Sequence, residues 1–284
     1  MSAGTLPLPT RGVRVRAIPG FGLSLGITLL WLGLIVLLPL ATLLVRPWEL
    51  GLAGVWDSVT EPRVLAALRL SFGAALLAAA IDLPLGLLLA WAITRLRFPG
   101  RGLLDAAIDL PFALPTAVAG IALTALLAPN GWLGALLAAA FGWRIAFTPW
   151  GIVAALVFVG LPFVARTVEP VLRDTGPEAE EAAATLGASR PQTLARVVLP
   201  ALWPALLAGF ALAFARAVGE YGSVIFIAGN MPLVSEIAPL LIVVRLEQFD
   251  YAGAAAVGLA MLLLAFPVLL GLNLLQRALR RGRA

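Results

Sequence analysis

Residues 181–200 read EAAATLGASRPQTLARVVLP, a polar, helix-forming insert between two long apolar runs. Upstream, Thr175-x-x-Glu178 has the form of a capping box, with Pro177 early in the helix it would start. A helix is expected over about 177–186, ended at Gly187, the residue type that best tolerates the left-handed position after a helix. Ser189-x-x-Gln192 repeats the capping pattern with Pro191 in a first turn, and a second helix should run through Val198 into the next apolar run. Ala182, Ala183 and Ala184 leave a smooth face, and Glu178, Glu180 and Glu181 place charge at its rim. Taken alone, this is an ordinary pair of surface helices. Between apolar runs, it is a handle for a soluble partner.

Outward from the insert, 61% of the 284 residues are hydrophobic and mean hydropathy is +1.01. Crossing about 30 Å of hydrocarbon takes about 20 apolar residues at 1.5 Å each. Six spans are expected, at roughly 21–45, 64–93, 103–128, 150–165, 198–227 and 252–275. The fold class is therefore an all-α membrane protein of six helices. Residues 21–275 form the membrane domain, with the insert at about 174–200, an N-terminal segment at 1–20 and a basic tail at 276–284. The first run follows Arg11, Arg14 and Arg16, as a signal peptide would. It is too long for a signal core, however, and no small-residue cleavage site closes it.

All 20 basic residues are arginine, and histidine and cysteine are absent. A phosphate-binding loop needs lysine, metal sites usually want His or Cys, and nucleophilic triads need His or an equivalent base. The composition argues against ATP hydrolysis or catalysis by this chain alone, and no cofactor or metal is expected in it. Disulfides are excluded. The net charge of +5 reflects membrane orientation rather than nucleic-acid binding. With the N-terminus inside, Arg11, Arg14, Arg16, Arg95, Arg97, Arg101, Arg166, Arg173, Arg190, Arg196, Arg277, Arg280, Arg281 and Arg283 are cytoplasmic. Only Arg46, Arg63, Arg144 and Arg245 fall outside. By the positive-inside rule both termini are expected in the cytoplasm. Outside, residues 131–141 are too short to span and read as interfacial or re-entrant. Residues 236–249 read as a short amphipathic helix with Pro239 in its first turn.

An ionisable residue near mid-span costs about 2.5–3.5 kcal/mol on insertion scales, so each should face a partner or a wet cavity. Arg216 and Glu220, at i, i+4, are spaced to pair on one helical face. Either Arg216 presents charge to a passing dianion while Glu220 restrains it, or the two form a neutralised pair that orders packing. Asp82, two residues before Pro84, is expected to cap backbone groups freed by the proline, the other reading being a role in the pathway. Asp105 and Asp109 are read as first-turn carboxylates favoured by the helix dipole. Pro111 and Pro115 should kink or unwind the same span, leaving Thr116 either to offer a hydroxyl to a pathway or to pack. Gly219, Gly222, Gly229 and Ser223 allow close helix approach, or, with Tyr221, form an outer gate.

The insert matches the EAA loop of ABC importer permeases, whose usual form ends in Ile-x-Leu-Pro; here Val197 takes the Ile place. The resemblance extends over about 20–276 and is most specific to the T-type subunit of sulfate/thiosulfate permeases. It is carried by DLPFALPTAVAGIALT at 109–124, APNGW at 128–132, AFARAVGEYGSVIFIAGNMP at 213–232, EIAPLLI at 236–242 and LEQFDYAG at 246–253. Molybdate permeases share the loop and a Gly-Glu-(Tyr/Phe)-Gly segment but resemble the chain less after Asn230. The resemblance implies a type I importer permease in the bacterial inner membrane. It also implies ATP-Mg bound by two copies of an ATPase subunit, a second, W-type permease and a periplasmic sulfate-binding protein. Glu181, Ala182, Ala183, Gly187, Leu199 and Pro200 would then couple to the ATPase, while Thr116, Arg216, Glu220, Tyr221 and Ser223 are candidates for the path or gate. The other readings are a molybdate or tungstate permease, a stand-alone secondary anion transporter or channel, and a membrane-embedded enzyme. The last is disfavoured by the missing His, Cys and Lys.

Overall fold

The computed structural model describes residues 21–281. The expected N-terminal segment 1–20, with Arg11, Arg14 and Arg16, lies outside the described residues, as does Arg283. Residues 21–45 form a unit of their own. It consists of α1 (Phe21–Leu32), a π turn (Gly33–Leu37) and α2 (Leu38–Val45), and none of its residues is buried. The π turn has a local cause. Proline lacks an N–H and crowds the carbonyl four residues back, and widening the turn just before Pro39 relieves that clash. The same device recurs at Pro200, preceded by a π turn at Leu194–Val198.

From Arg46 onward the chain forms a second unit. A 3-10 turn (Arg46–Leu50) and α3 (Gly51–Thr60) lead into α4 (Pro62–Arg95). Three short helices follow, α5 (Arg101–Ile108), α6 (Leu110–Ala113) and α7 (Thr116–Leu127), then α8 (Trp132–Phe141) and the long α9 (Pro149–Thr175). Next come α10 (Glu178–Thr185), α11 (Arg190–Thr193), α12 (Leu199–Val218), α13 (Val224–Ile227), α14 (Ala238–Glu247) and α15 (Tyr251–Arg281). Among the described residues, five stretches are long and apolar enough to cross a membrane, or six if α7 and α8, bent by 43°, count as one.

Two spans differ from expectation. The run at 103–128 is not one helix. It breaks at Asp109 and again at Leu114, which adopts an extended conformation before Pro115, because the residue preceding proline is driven from the α region. The apolar length is found instead in α7 with α8 taken together, a broken span or a re-entrant loop, so residues 131–141 are the second arm of a bent pair. The run at 198–227 likewise stops at Val218, and α13 is a separate turn. The basic tail is not a separate segment where it is described: α15 continues through it to Arg281.

The core is a three-helix junction of α4, α9 and α12. The α4 face is small residues at helical spacing, with Ala67, Ala74, Ala75, Ala78, Ala79 and Ala90 all buried. Lipid tails are as apolar as side chains, so close van der Waals packing, rather than hydrophobicity, must hold such helices together. Val164 of α9 shows how close they come. A Cβ at Gly86 of α4 would fall 2.6 Å from its Cγ1, and one at Gly209 of α12 would fall 2.9 Å from its Cα. At the end of the bundle where α4 starts, α14 is fastened by ion pairs. Arg63 holds Glu236 with two 2.7 Å bonds, and the buried Arg245 reaches Glu61 at 2.7 Å and Ser58 at 2.5 Å. As expected, Pro239 lies in the first turn of α14.

Candidate functional site

The insert at 176–200 gathers at the end of the bundle where α4 and α9 finish. The expected first capping box does not form. Thr175 instead ends α9, its Oγ1 donating to the Val171 carbonyl at 2.5 Å, because α9 runs on past the span end expected at about 165. The break comes at Gly176, with φ +63°. Glu178, Glu180 and Glu181 then occupy the first turn of α10, where the helix dipole favours carboxylates. The far end closes as a Schellman turn: Ala188 N–H donates to the Ala183 carbonyl and Gly187 N–H to the Ala184 carbonyl, both at 3.0 Å. Gly187 has φ +82°, and nothing lies within 4 Å of where its Cβ would be. Its constraint is conformational rather than spatial. The second box is present, with Ser189 N–H donating to Gln192 Oε1 at 2.8 Å.

Glu181, Ala182 and Gly187 are exposed, Ala183 is half-buried, and no residue of α10 is buried. Leu199 packs against the main core, and Pro200 is exposed at the start of α12. The residue that sequence reasoning missed is Leu186, 88% exposed at the tip of the turn. An apolar residue just before a helix-ending glycine was its only signal. Two arginines counted in the sequence only as charge are structural. Arg95, the last residue of α4, donates from Nε to Glu180 Oε1 at 3.0 Å and from its terminal nitrogen to the Gly176 carbonyl at 2.7 Å. Arg166 grips Asp109 through both carboxylate oxygens (2.8 and 2.7 Å), Asp105 at 2.7 Å and Glu169 at 2.6 Å. Glu169 also pairs with Arg173. The role expected for Asp105 and Asp109 is corrected accordingly. Asp105 stands mid-helix and Asp109 at the junction where α6 begins, and both are held by a cation on α9.

The five path candidates split into two groups. Arg216 is in the last turn of α12 and Glu220 lies beyond its end. They pair at 2.5 Å across the helix terminus rather than along one helical face. Glu220 is 3% exposed and Ser223 fully buried. Glu220 Oε1 accepts from the Ser223 N–H at 2.8 Å and its hydroxyl at 2.9 Å. Glu220 thus fastens the segment entering α13, and Ser223 is spent on that bond. Thr116 packs on this segment, since a Cβ at Gly222 would strike its Oγ1. A Cβ at Gly120, one turn along α7, would lie 2.8 Å from Ser223 Cα. Tyr221 is half-buried against the main core. Arg216, with its side chain one-third exposed, is the member of the set whose charge can be seen from outside. Asp82 does not cap the backbone at Pro84. It is 1% exposed, and neither carboxylate oxygen has a hydrogen-bond partner among the described residues. It points instead at Gly160 of α9, where a Cβ would collide with it.

A helical bundle with an exposed, charged helix–turn–helix set between two of its long helices bears directly on family. Residues 82–283 match the family described as the binding-protein-dependent transport system inner membrane component. The chain belongs to this family of inner-membrane permeases. It is 50% identical over 261 residues to the sulfate transport system permease protein CysT of Salmonella typhimurium, covering 92% of this chain and 94% of that protein. The permease is also 49% identical to the protein of the same name from Synechococcus elongatus, covering 88% of this chain and 89% of that one. Among solved structures it is similar to a chain of a bacterial alginate ABC transporter in complex with a pentasaccharide-bound periplasmic protein. There the TM-score is 0.75 at 19% identity, covering 90% of this chain and 93% of that chain. That likeness concerns the fold alone, and it is the fold of an ABC importer's membrane subunit.

Proposed function

We infer that this permease is a membrane subunit of an ATP-driven importer of sulfate, with thiosulfate its nearest companion substrate. One observation carries the substrate: half of the 261 aligned residues are identical to those of a sulfate transport permease, across nearly the full length of both chains. The molybdate or tungstate alternative has no comparable support. A stand-alone anion transporter would have no use for a helix such as α10, whose residues all remain unburied.

Arginine counting places the Arg95 end of the bundle, and both chain termini, in the cytoplasm. There an ATPase subunit, binding ATP-Mg, grips the loop. Two ATPase copies serve this chain and a second, W-type permease, and the periplasmic binding protein delivers the anion at the Glu236 end. Glu181, Ala182, Ala183 and Gly187 form the docking surface, with Leu186 at its centre, while Leu199 and Pro200 join the loop to α12. Closure of the ATPase pair moves α10, and the α4–α9–α12 junction reorients around a path shared with the second permease. Arg216, held by Glu220, presents positive charge to the dianion. Thr116, Tyr221 and Ser223 shape the gate by packing. A tight site would oppose release, and a half-neutralised arginine attracts without trapping.

The test is labelled sulfate uptake into proteoliposomes containing both permeases, the ATPase and the binding protein, with ATP inside. Uptake should require ATP and the ATPase and resist excess molybdate. Displacement by molybdate would reverse the substrate assignment, and uptake without the ATPase would restore the secondary transporter.

A further inference from the structure

Arg95 is the one donor, among the described residues, shown binding both sides of the break between α9 and α10. The break itself is poorly determined by its own residues. Gly176 stands at φ +63° and ψ 174°, a region essentially reserved for glycine. It therefore has no side chain with which to set the angle between the two helices. A Cβ there would meet only the movable end of the Glu178 side chain, so it is the backbone conformation that keeps the position glycine. Nor does α10 anchor itself by burial. Arg95 supplies what is missing. Its side chain is 15% exposed and that of Glu180 24%, and its guanidinium lies 5.9 Å from the Trp91 ring on the preceding turn of α4. Charge-assisted bonds in so sheltered a place are strong and directional.

We propose that Arg95 is the positioning residue for coupling: by holding the Gly176 carbonyl and the Glu180 carboxylate together, it sets the angle of α10 against α4. A displacement of α10 then reaches the membrane core through α4 as well as along α9. This rests on reading α10 as the ATPase docking helix, so wild-type ATP-dependent uptake is the control for that reading. The proposal itself is tested by variants in the assembled transporter.

Sulfate uptake per ATP hydrolysed should fall about tenfold in Arg95→Ala, the scale of losing hydrogen bonds to a charged group. Membrane abundance and ATPase attachment should stay within about twofold, because Arg95 lies off the docking face. Glu180→Ala keeps the Gly176 bond, so its loss should be smaller, and the double variant should match Arg95→Ala alone. Arg95→Lys should recover part of the ratio, since a point charge can hold one acceptor but lacks the planar fork. Unchanged uptake per ATP in Arg95→Ala would overturn the proposal. So would losses that merely track abundance, or additive losses in the double variant. If Arg95→Ala does not insert, Glu180→Gln against Glu180→Ala decides: the amide retains an acceptor and should retain the ratio, and equal losses in both would overturn the assignment.

Discussion

Segments 176–200 and 216–236 both interrupt long helices with glycine and polar residues, yet they are finished in opposite ways. In the second, Glu220 and Ser223 bond each other, Arg216 neutralises the carboxylate, and α7 packs against the turn. In the first, Glu178, Glu181, the alanine face and Leu186 are left open, and among the described residues Arg95 is the side chain shown tying α10 back to α4. A segment that turns its charged and hydroxyl groups on one another is built to hold a shape. One that leaves both charge and apolar surface unmet is built to be completed by another protein. Damage to the first kind should show as lost protein, and damage to the second as lost transport by protein that is present.

The largest effect is expected at Glu220. Glu220→Ala strands Arg216 and frees the Ser223 donors, and each lost hydrogen bond to a charged group costs about 1.5–3 kcal/mol. Membrane abundance should therefore drop sharply, while Arg216→Ala/Glu220→Ala should recover much of it. If Arg216 also serves the anion, that double variant will insert yet transport poorly, and Arg216→Lys will keep partial uptake. Normal abundance and uptake in Arg216→Ala would remove both roles. Next, Arg166→Ala leaves the buried Glu169 with only Arg173 and releases Asp105 and Asp109. A loss of about 3 kcal/mol is expected, read as faster proteolysis of the 101–113 segment. Cleavage at the wild-type rate would show that the clamp is dispensable.

How much of this was legible in the sequence depended on range. The Schellman turn at Gly187, the breaks forced by Pro111 and Pro115 and the place of Pro239 follow from residues within one or two turns, and local sterics decide them. The Arg166 clamp joins residues 57 and 61 positions apart, and Arg95 meets Glu180 across 85. No periodicity carries such pairings. The Thr175 box failed because its local pattern competed with the continuation of α9, whose buried face extends from Gly151 to Leu172. Asp82 stood out as a charge in an apolar run, but only the structure shows it facing the bare backbone of Gly160.

Smaller effects are expected on the open segment. Glu181→Arg should leave abundance unchanged and reduce ATPase recovery by pull-down, more at low salt than at high, because rim charges act through screened electrostatics. Equal recovery at physiological salt would remove Glu181 from the docking surface. Leu186→Ala removes an exposed side chain, so stability should move by no more than about 0.5 kcal/mol, while ATPase recovery falls severalfold. Unaltered recovery would mean that Leu186 faces only water.

Gly187→Val tests the contrast most directly. A β-branched residue at φ +82° is strained by about 1–2 kcal/mol, confined to a turn that nothing else packs upon. The measurement is ATP-driven labelled sulfate uptake into proteoliposomes, normalised to inserted permease. The variant should insert at wild-type abundance and lose nearly all uptake, because the docking helix is misaimed. Uptake per inserted molecule equal to wild type would contradict the account, leaving the loop a surface feature rather than the handle through which ATP hydrolysis moves sulfate.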